Sequence, residues 1–141
     1  MMVDKFSKET RSRIMSRIKG KDTKPEIIVR RFLFSKGLRF RKNDKRYPGS
    51  PDIVLPKYNT VVFVHGCFWH LHEGCKYAKI PKSNVEFWEN KLYRNRERDE
   101  CNQKELEDRG WNVITVWECQ LKKGKRERTL EELYVNIISE L

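Results

Sequence analysis

The chain has 141 residues, 36% of them charged, and a formal net charge of +11, enough sequence to bury roughly two-thirds of its unfolded surface in one domain. It contains no apolar run of about 18 residues, which excludes a membrane-spanning helix. The opening MMVDKFSKET has no apolar signal segment, so the expected compartment is the cytoplasm, where four cysteines favour metal ligation or free thiols over disulfides.

The charge is unevenly placed. Residues 1–46 carry 16 Lys/Arg against 5 Asp/Glu, whereas residues 47–141 carry 15 against 15. A basic excess confined to one third of a chain is the footprint of a polyanionic partner, usually nucleic acid. The plainer alternative is a solvated basic surface. A membrane-surface role needs a broad apolar face, and the first helix offers only Ile14, Met15 and Ile18.

In chain order, Ser7 caps a short helix over 8–19 that stops at Gly20. Thr23-Lys-Pro-Glu26 reads as a capping box with Pro25 in the first turn. It opens a helix with Ile27, Ile28, Phe32 and Leu33 on its apolar side, ending before Gly37. A short strand is expected over 38–41 and a turn at 47–51 (YPGSP). Two β-rich runs, 52–55 and 60–65, are joined closely enough to form an antiparallel hairpin. Ser83-Asn-Val-Glu86 is a second capping box, for a long helix ending at Gly110. WNVITVW, 111–117, reads as a strand buried on both faces, and Thr129 caps a final helix to about residue 140. The order α-α-β-β-β-α-β-α describes one α/β domain with a mixed sheet, spanning 1–141.

Residues 64–75, VHGCFWHLHEGC, hold all three histidines of the protein. Cys67, His72, Cys75 and Cys119 make a zinc set of three thiolates and one imidazole, a closed structural arrangement rather than an open catalytic one. Unrelated free cysteines are the alternative. Cys101 falls mid-helix, where a packed or free thiol is the commoner role. His65 and His70 remain. The hairpin midpoint at 58–59 sets Asp52 nearly opposite His65, and a carboxylate beside two imidazoles can bind a divalent cation and activate water.

On the long helix, Val85, Trp88, Leu92, Asn95, Asp99 and Leu106 share one stripe expected to face the core. An inward Asp99 needs a histidine, a metal or an arginine as partner. The capping box alone accounts for Glu26. Phe68 and Trp69 either cap the core or stack on bases.

SRIMSRIKGKDTKPE, PGSPD, VVFVHGCFWHLHEGC, FW…ERD and VITVWEC together make nearly the whole chain similar to the very short patch repair (Vsr) family of DNA mismatch endonucleases. That resemblance implies a fold like type II restriction endonucleases with an added structural zinc. It implies a magnesium-dependent nick in one strand beside a T:G mismatch left by 5-methylcytosine deamination.

Carried over by position, Asp52 becomes the central magnesium carboxylate, with the Val64 carbonyl completing the site through waters. His65 and His70 serve catalysis, His70 as general base oriented by Asp99, and Glu26 supports the water shell. Cys67, His72, Cys75 and Cys119 match the zinc ligands. Phe68, Trp69 and Trp88 match aromatics that intercalate from the major groove. The basic helix carrying Arg11, Arg13, Met15, Arg17 and Lys19 enters from the minor-groove side. The expected substrate is mismatched double-stranded DNA, bound by a monomer, with other mismatch-repair proteins as possible contacts.

Two departures stand out. The strand after Asp52 reads Val62-Phe-Val-His65, without the Glu-x-Lys usual in restriction-type nucleases, so the lysine's role passes to histidine. Leu71 and Glu73–Gly74 replace a shorter, histidine-rich stretch, and Gly74 is expected to absorb the extra residue. The rivals are a nuclease of the same fold with another target, and a zinc-stabilised DNA-binding regulator that needs neither Asp52 nor His70.

Overall fold

The computed structural model describes residues 22–140. The helix expected over 8–19 lies outside them. The described order is α1 (Lys24–Ser35), β1 (Arg41–Lys42), β2 (Ile53–Leu55), β3 (Thr60–His65), α2 (Val85–Asp108), β4 (Asn112–Trp117) and α3 (Arg126–Ile138). This is a mixed α/β arrangement, as the sequence pattern predicts for these elements.

The four strands lie in the order β1-β2-β3-β4. The first three are antiparallel neighbours, and β4 runs parallel to β3, because α2 carries the chain back across the sheet before β4 begins. A short 3-10 turn, Pro56–Tyr58, and Asn59 in the left-handed conformation close the β2–β3 hairpin. Leu55 pairs with Thr60, so the register sets Asp52 across from Phe63 rather than His65. The expected hairpin midpoint was one residue too late, since the turn centres on 57–58.

Alternation along β3 gives the sheet two buried faces. Val62 and Val64 join Ile53, Leu55 and Val116 in a core with Val29 and Leu33 of α1 and Leu130, Leu133 and Ile137 of α3. Val61 and Phe63 join Val54 and Leu106 on the α2 side. β4 is half-buried except at Val116, not buried on both faces, because among the described residues it has a neighbour on one side only.

Several helix boundaries differ from the sequence pattern. Thr23 is the N-cap of α1 but makes no side-chain cap bond. Glu26 accepts instead from the Asp22 N–H at 2.8 Å. The buried face of α1 is Glu26, Val29, Arg30 and Leu33, two of them charged. Asn84, not Ser83, caps α2, in the left-handed region and without a side-chain bond. α3 starts at Arg126, so Thr129 is interior to it. On α2 only Leu92 and Leu106 are buried, and Val85 is exposed. Among the described residues no helix is long and apolar enough to cross a membrane.

Candidate active site and metal centre

Parallel pairing of β3 and β4 aligns His65 with Trp117, so both strands end at the same rim. The loop after β3 and the 3-10 turn Glu118–Leu121 after β4 meet there, and the Cys119 N–H donates to Cys67 Sγ at 3.4 Å. The loop folds by short backbone bonds, from His70 N–H to the Gly66 carbonyl (3.2 Å) and from His72 N–H to that of Cys67 (2.9 Å). Between the two histidines, buried Leu71 has φ +48°, a left-handed conformation costing a Cβ-bearing residue roughly 1–2 kcal/mol. His70 and His72, on either side of it, take different partners.

His72 Nδ1 lies 3.5 Å from Cys119 Sγ. One ligand atom each from Cys67, His72, Cys75 and Cys119 falls within 4.8 Å of the others. Three sulfurs and a nitrogen at that spacing fit a tetrahedral cation with bonds of about 2.0–2.3 Å. Burial pushes the Cys67 thiol up to about 12, against the pull of the Cys119 N–H and with the Cys119 and Cys75 thiols adding to the rise. A cation among the sulfurs reverses that shift by stabilising the thiolates. Gly74 sits at φ +71° with open space around it, and Cys75 stays within the set despite the longer stretch. Cys101 is exposed and outside the set.

A cleft of about 1120 Å³ opens beside this cluster, lined among others by Glu26, Asp52, Val64, His65, His70 and Asp99. Asp52 Oδ2 accepts the Val64 N–H at 2.6 Å. Burial, followed by that bond and the Glu26 carboxylate, sets its balance: the burial and Glu26 push it up to about 7, against the pull of the Val64 N–H and Arg30. Two carboxyls forced together in a half-buried cleft fit a divalent cation, which removes their mutual repulsion. Arg30 backs the pair, with Nη1 3.6 Å from Glu26 Oε2 and Nη2 2.7 Å from Asp22 Oδ1.

His70 Nδ1 lies 2.5 Å from Asp99 Oδ2. Because a carboxylate only accepts, Nδ1 carries the proton and Nε2 keeps its lone pair. His65 stacks on His70 with centroids 3.8 Å apart and planes 4° from parallel. Burial, with His70 beside it, lowers His65 to about 4, and its Nδ1 is buried without a hydrogen-bond partner among the described residues. Ligand atoms of His65, His70 and Asp99 also approach within 4.8 Å. Stacked rings, however, aim their lone pairs alongside one another rather than at one point, which suits a proton relay better than a chelate.

Trp117 joins the two sets. Its ring stacks on His72 (4.0 Å, 6°) and meets His65 edge-on (5.2 Å, 73°). Phe68, Trp69 and Trp88 form a half-buried cluster of rings 5.0–6.0 Å apart. The Asn95 amide secures it through the Trp69 carbonyl at 3.1 Å. Phe87, 57% exposed, extends it, and the Lys91 ammonium lies over Trp69 and Phe87 at 5.9 and 6.0 Å.

Residues 3–76 match the family model described as DNA mismatch endonuclease Vsr. The chain belongs to the Vsr family. It is 42% identical to the DNA mismatch endonuclease Vsr of Escherichia coli K12, over 94% of this chain and 83% of that one. It is 58% identical to the type II nicking enzyme V.NmeAIP of Neisseria meningitidis serogroup A, over 86% of each. A third relative, the type II nicking enzyme V.XorIIP of Xanthomonas oryzae, is 46% identical over 85% of this chain and 88% of its own length. As a Vsr-family protein the chain is an endonuclease that acts on DNA.

The structure thus brings Glu26, Asp52, Val64, His65, His70 and Asp99 to one cleft and gathers the four Cys/His candidates beside it. Arg11, Arg13, Met15, Arg17 and Lys19 lie outside the described residues. Sequence reasoning passed over Trp117, Arg30 and Phe87. Trp117 had a signal, since it sits two residues before Cys119 at a strand end. Arg30 had one too, four residues after Glu26 on the same helical face.

Proposed function

We propose that this chain is a magnesium-dependent endonuclease that nicks one strand beside a T:G mismatch arising from 5-methylcytosine deamination, and so starts very short patch repair. The observation that carries the reading is one cleft holding a carboxylate pair, an oriented imidazole and an adjoining aromatic cluster. The relatives named nicking enzymes support cleavage of a single strand. A restriction-endonuclease-like fold accords with a mixed sheet whose acidic residue opens the central hairpin. The whole chain then acts as one domain.

Asp52 and the Val64 carbonyl would hold magnesium, with Glu26 supporting its water shell; bound there, the ion would supply positive charge against the attacked phosphate. His70 takes the proton of the attacking water at Nε2 while Asp99 fixes the ring through Nδ1. His65 stays neutral and supports the His70 ring face. Phe68, Trp69 and Trp88 wedge into the base stack, and their half-exposed rings and flanking Lys91 suit that task. The basic helix with Arg11, Arg13, Met15, Arg17 and Lys19 grips the other side of the duplex. Cys67, His72, Cys75 and Cys119 would hold zinc, and their clamp on the loop would fix the distance between wedge and base.

The protein acts as a monomer in the cytoplasm, because a lone mismatch lacks the two-fold symmetry a dimer reads. Other mismatch-repair proteins are candidates for recruitment to the nick. The test is incubation of T:G and matched duplexes with magnesium, using wild type and Asp52→Ala. A nick in the T:G duplex alone, lost in the variant, is expected. Cutting of both duplexes points to a restriction-like nuclease with another target, and no cutting points to a DNA-binding regulator.

A further inference from the structure

We propose that Lys45 binds the scissile phosphodiester, supplying from the β1–β2 loop the fixed cation that β3 lacks. The inference rests on the endonuclease reading and adds a substrate ligand to the same cleft. Four carboxylates line that cleft, Glu26, Asp52, Asp99 and Glu118. A phosphodiester entering it meets net repulsion unless cations oppose it, and its transition state concentrates negative charge on the non-bridging oxygens. Strand β3, whose end borders the cleft, carries no lysine or arginine, reading Thr-Val-Val-Phe-Val-His over 60–65.

Among the described residues two ammonium groups line the cleft, Lys45 and Lys91. Lys91 is committed to the aromatic cluster, over Trp69 and Phe87. Lys45 carries no hydrogen bond, ion pair or ring contact among the described residues, although both of its neighbours are occupied. It is presented by a pinned turn. Asn43, left-handed at φ +49°, donates its N–H to the carbonyl of Asp52 at 3.1 Å. Asp44 is clamped by Arg46 through Nε (3.0 Å), Nη2 (2.7 Å) and the backbone N–H (3.1 Å). Tyr47 then anchors the loop edge-on against Trp111, at 5.3 Å. The loop that carries the free ammonium is therefore hydrogen-bonded to the backbone of Asp52.

The experiment compares wild type, Lys45→Ala, Lys45→Arg and Asp52→Ala on a T:G duplex with magnesium, measuring kcat, KM and duplex Kd. Lys45 is exposed, so its removal leaves the fold intact. Lys45→Ala is expected to lower kcat about 100-fold, the loss typical of one transition-state charge donor, with KM and Kd changed less than about threefold. Lys45→Arg should recover part of that rate. A methylphosphonate at the scissile position should weaken binding to wild type more than to Lys45→Ala.

An unchanged kcat in Lys45→Ala overturns the assignment. So does a change confined to Kd and its salt dependence, which marks a phosphate elsewhere on the duplex. If Asp52→Ala still nicks the T:G duplex, the endonuclease reading of the cleft fails instead, independently of Lys45.

Discussion

The loop 64–75 serves two sites built on opposite principles. The thiol cluster is closed, drawing four ligand atoms together around one point. The neighbouring cleft is open, its carboxylates and imidazoles paired with one another along the wall of a space of about 1120 Å³ rather than gathered around one point. His70 and His72 show the difference at closest range, one aimed at Asp99 and the other at Cys119. A closed set converts ligand binding into folding free energy, whereas an open set preserves room for a substrate. Damage to the cluster should therefore appear as lost structure, and damage to the cleft as lost chemistry.

The largest expected effect lies in the cluster. Cys67→Ser, or removal of metal by a strong chelator, should unfold the rim or the whole domain, because structural zinc supplies on the order of 10 kcal/mol in small domains. Loss of thermal stability together with loss of bound zinc checks this. A Cys67→Ser protein that stays folded and nicks at the wild-type rate breaks the comparison.

The cleft should respond the other way. His70→Gln is expected to lower the nicking rate about 10²–10⁴-fold, the usual contribution of a general base, while the melting temperature stays close to wild type. A large drop in melting temperature would merge the two sites into one structural unit.

Leu106→Ala serves as a reference for ordinary core damage. It should cost about 2–5 kcal/mol in denaturant unfolding, since Leu106 is the fully buried α2 residue of its core cluster. Nicking of the remaining folded protein should be unaffected.

Smaller still are two pH effects of opposite sign. His65 is lowered from 6.5 to about 4, chiefly by burial. Its contribution to stability is complete above 6.5 and is lost as pH falls towards 4. Asp52 is raised from 3.8 to about 7, again chiefly by burial. In metal-free protein its contribution is complete below 3.8 and is lost as pH rises through 7. Urea melts across pH 4–8 should lose the acid-side slope in His65→Phe and the neutral-side slope in Asp52→Asn. Identical slopes in both variants would show that neither group is buried as described.

Local signals made much of this architecture legible. The element order over 22–140 follows from the apolar periodicity, the glycines at 37 and 110 and the β-rich runs. The four Cys/His candidates were legible because soft ligands are rare and their spacing is short. What failed depended on three-dimensional context. WNVITVW is as apolar as a central strand, yet it lies at the edge of the described sheet. A one-residue error in the turn moved the partner of Asp52 from His65 to Phe63. Thr129 resembles a helix start but lies inside α3, because Arg126 begins the helix and reaches the Leu121 carbonyl at 2.9 Å. Lys45 was not legible as a cleft residue, because its place there depends on a loop tied to Asp52 through the Asn43 N–H, a contact between positions the sequence does not pair.

The bond from Cys119 to Cys67 spans 52 positions. During synthesis, every carboxylate and imidazole assigned to the chemistry, up to Asp99, emerges before the strand that completes the rim. The thiol cluster closes only after β4 has been made and docked parallel to β3, a non-local pairing that forms slowly. A nascent chain stopping short of Trp117 would thus carry the assigned cutting groups with nothing to hold them in place. Cys119, the last of the four cluster residues in sequence, is then the one whose arrival completes the rim.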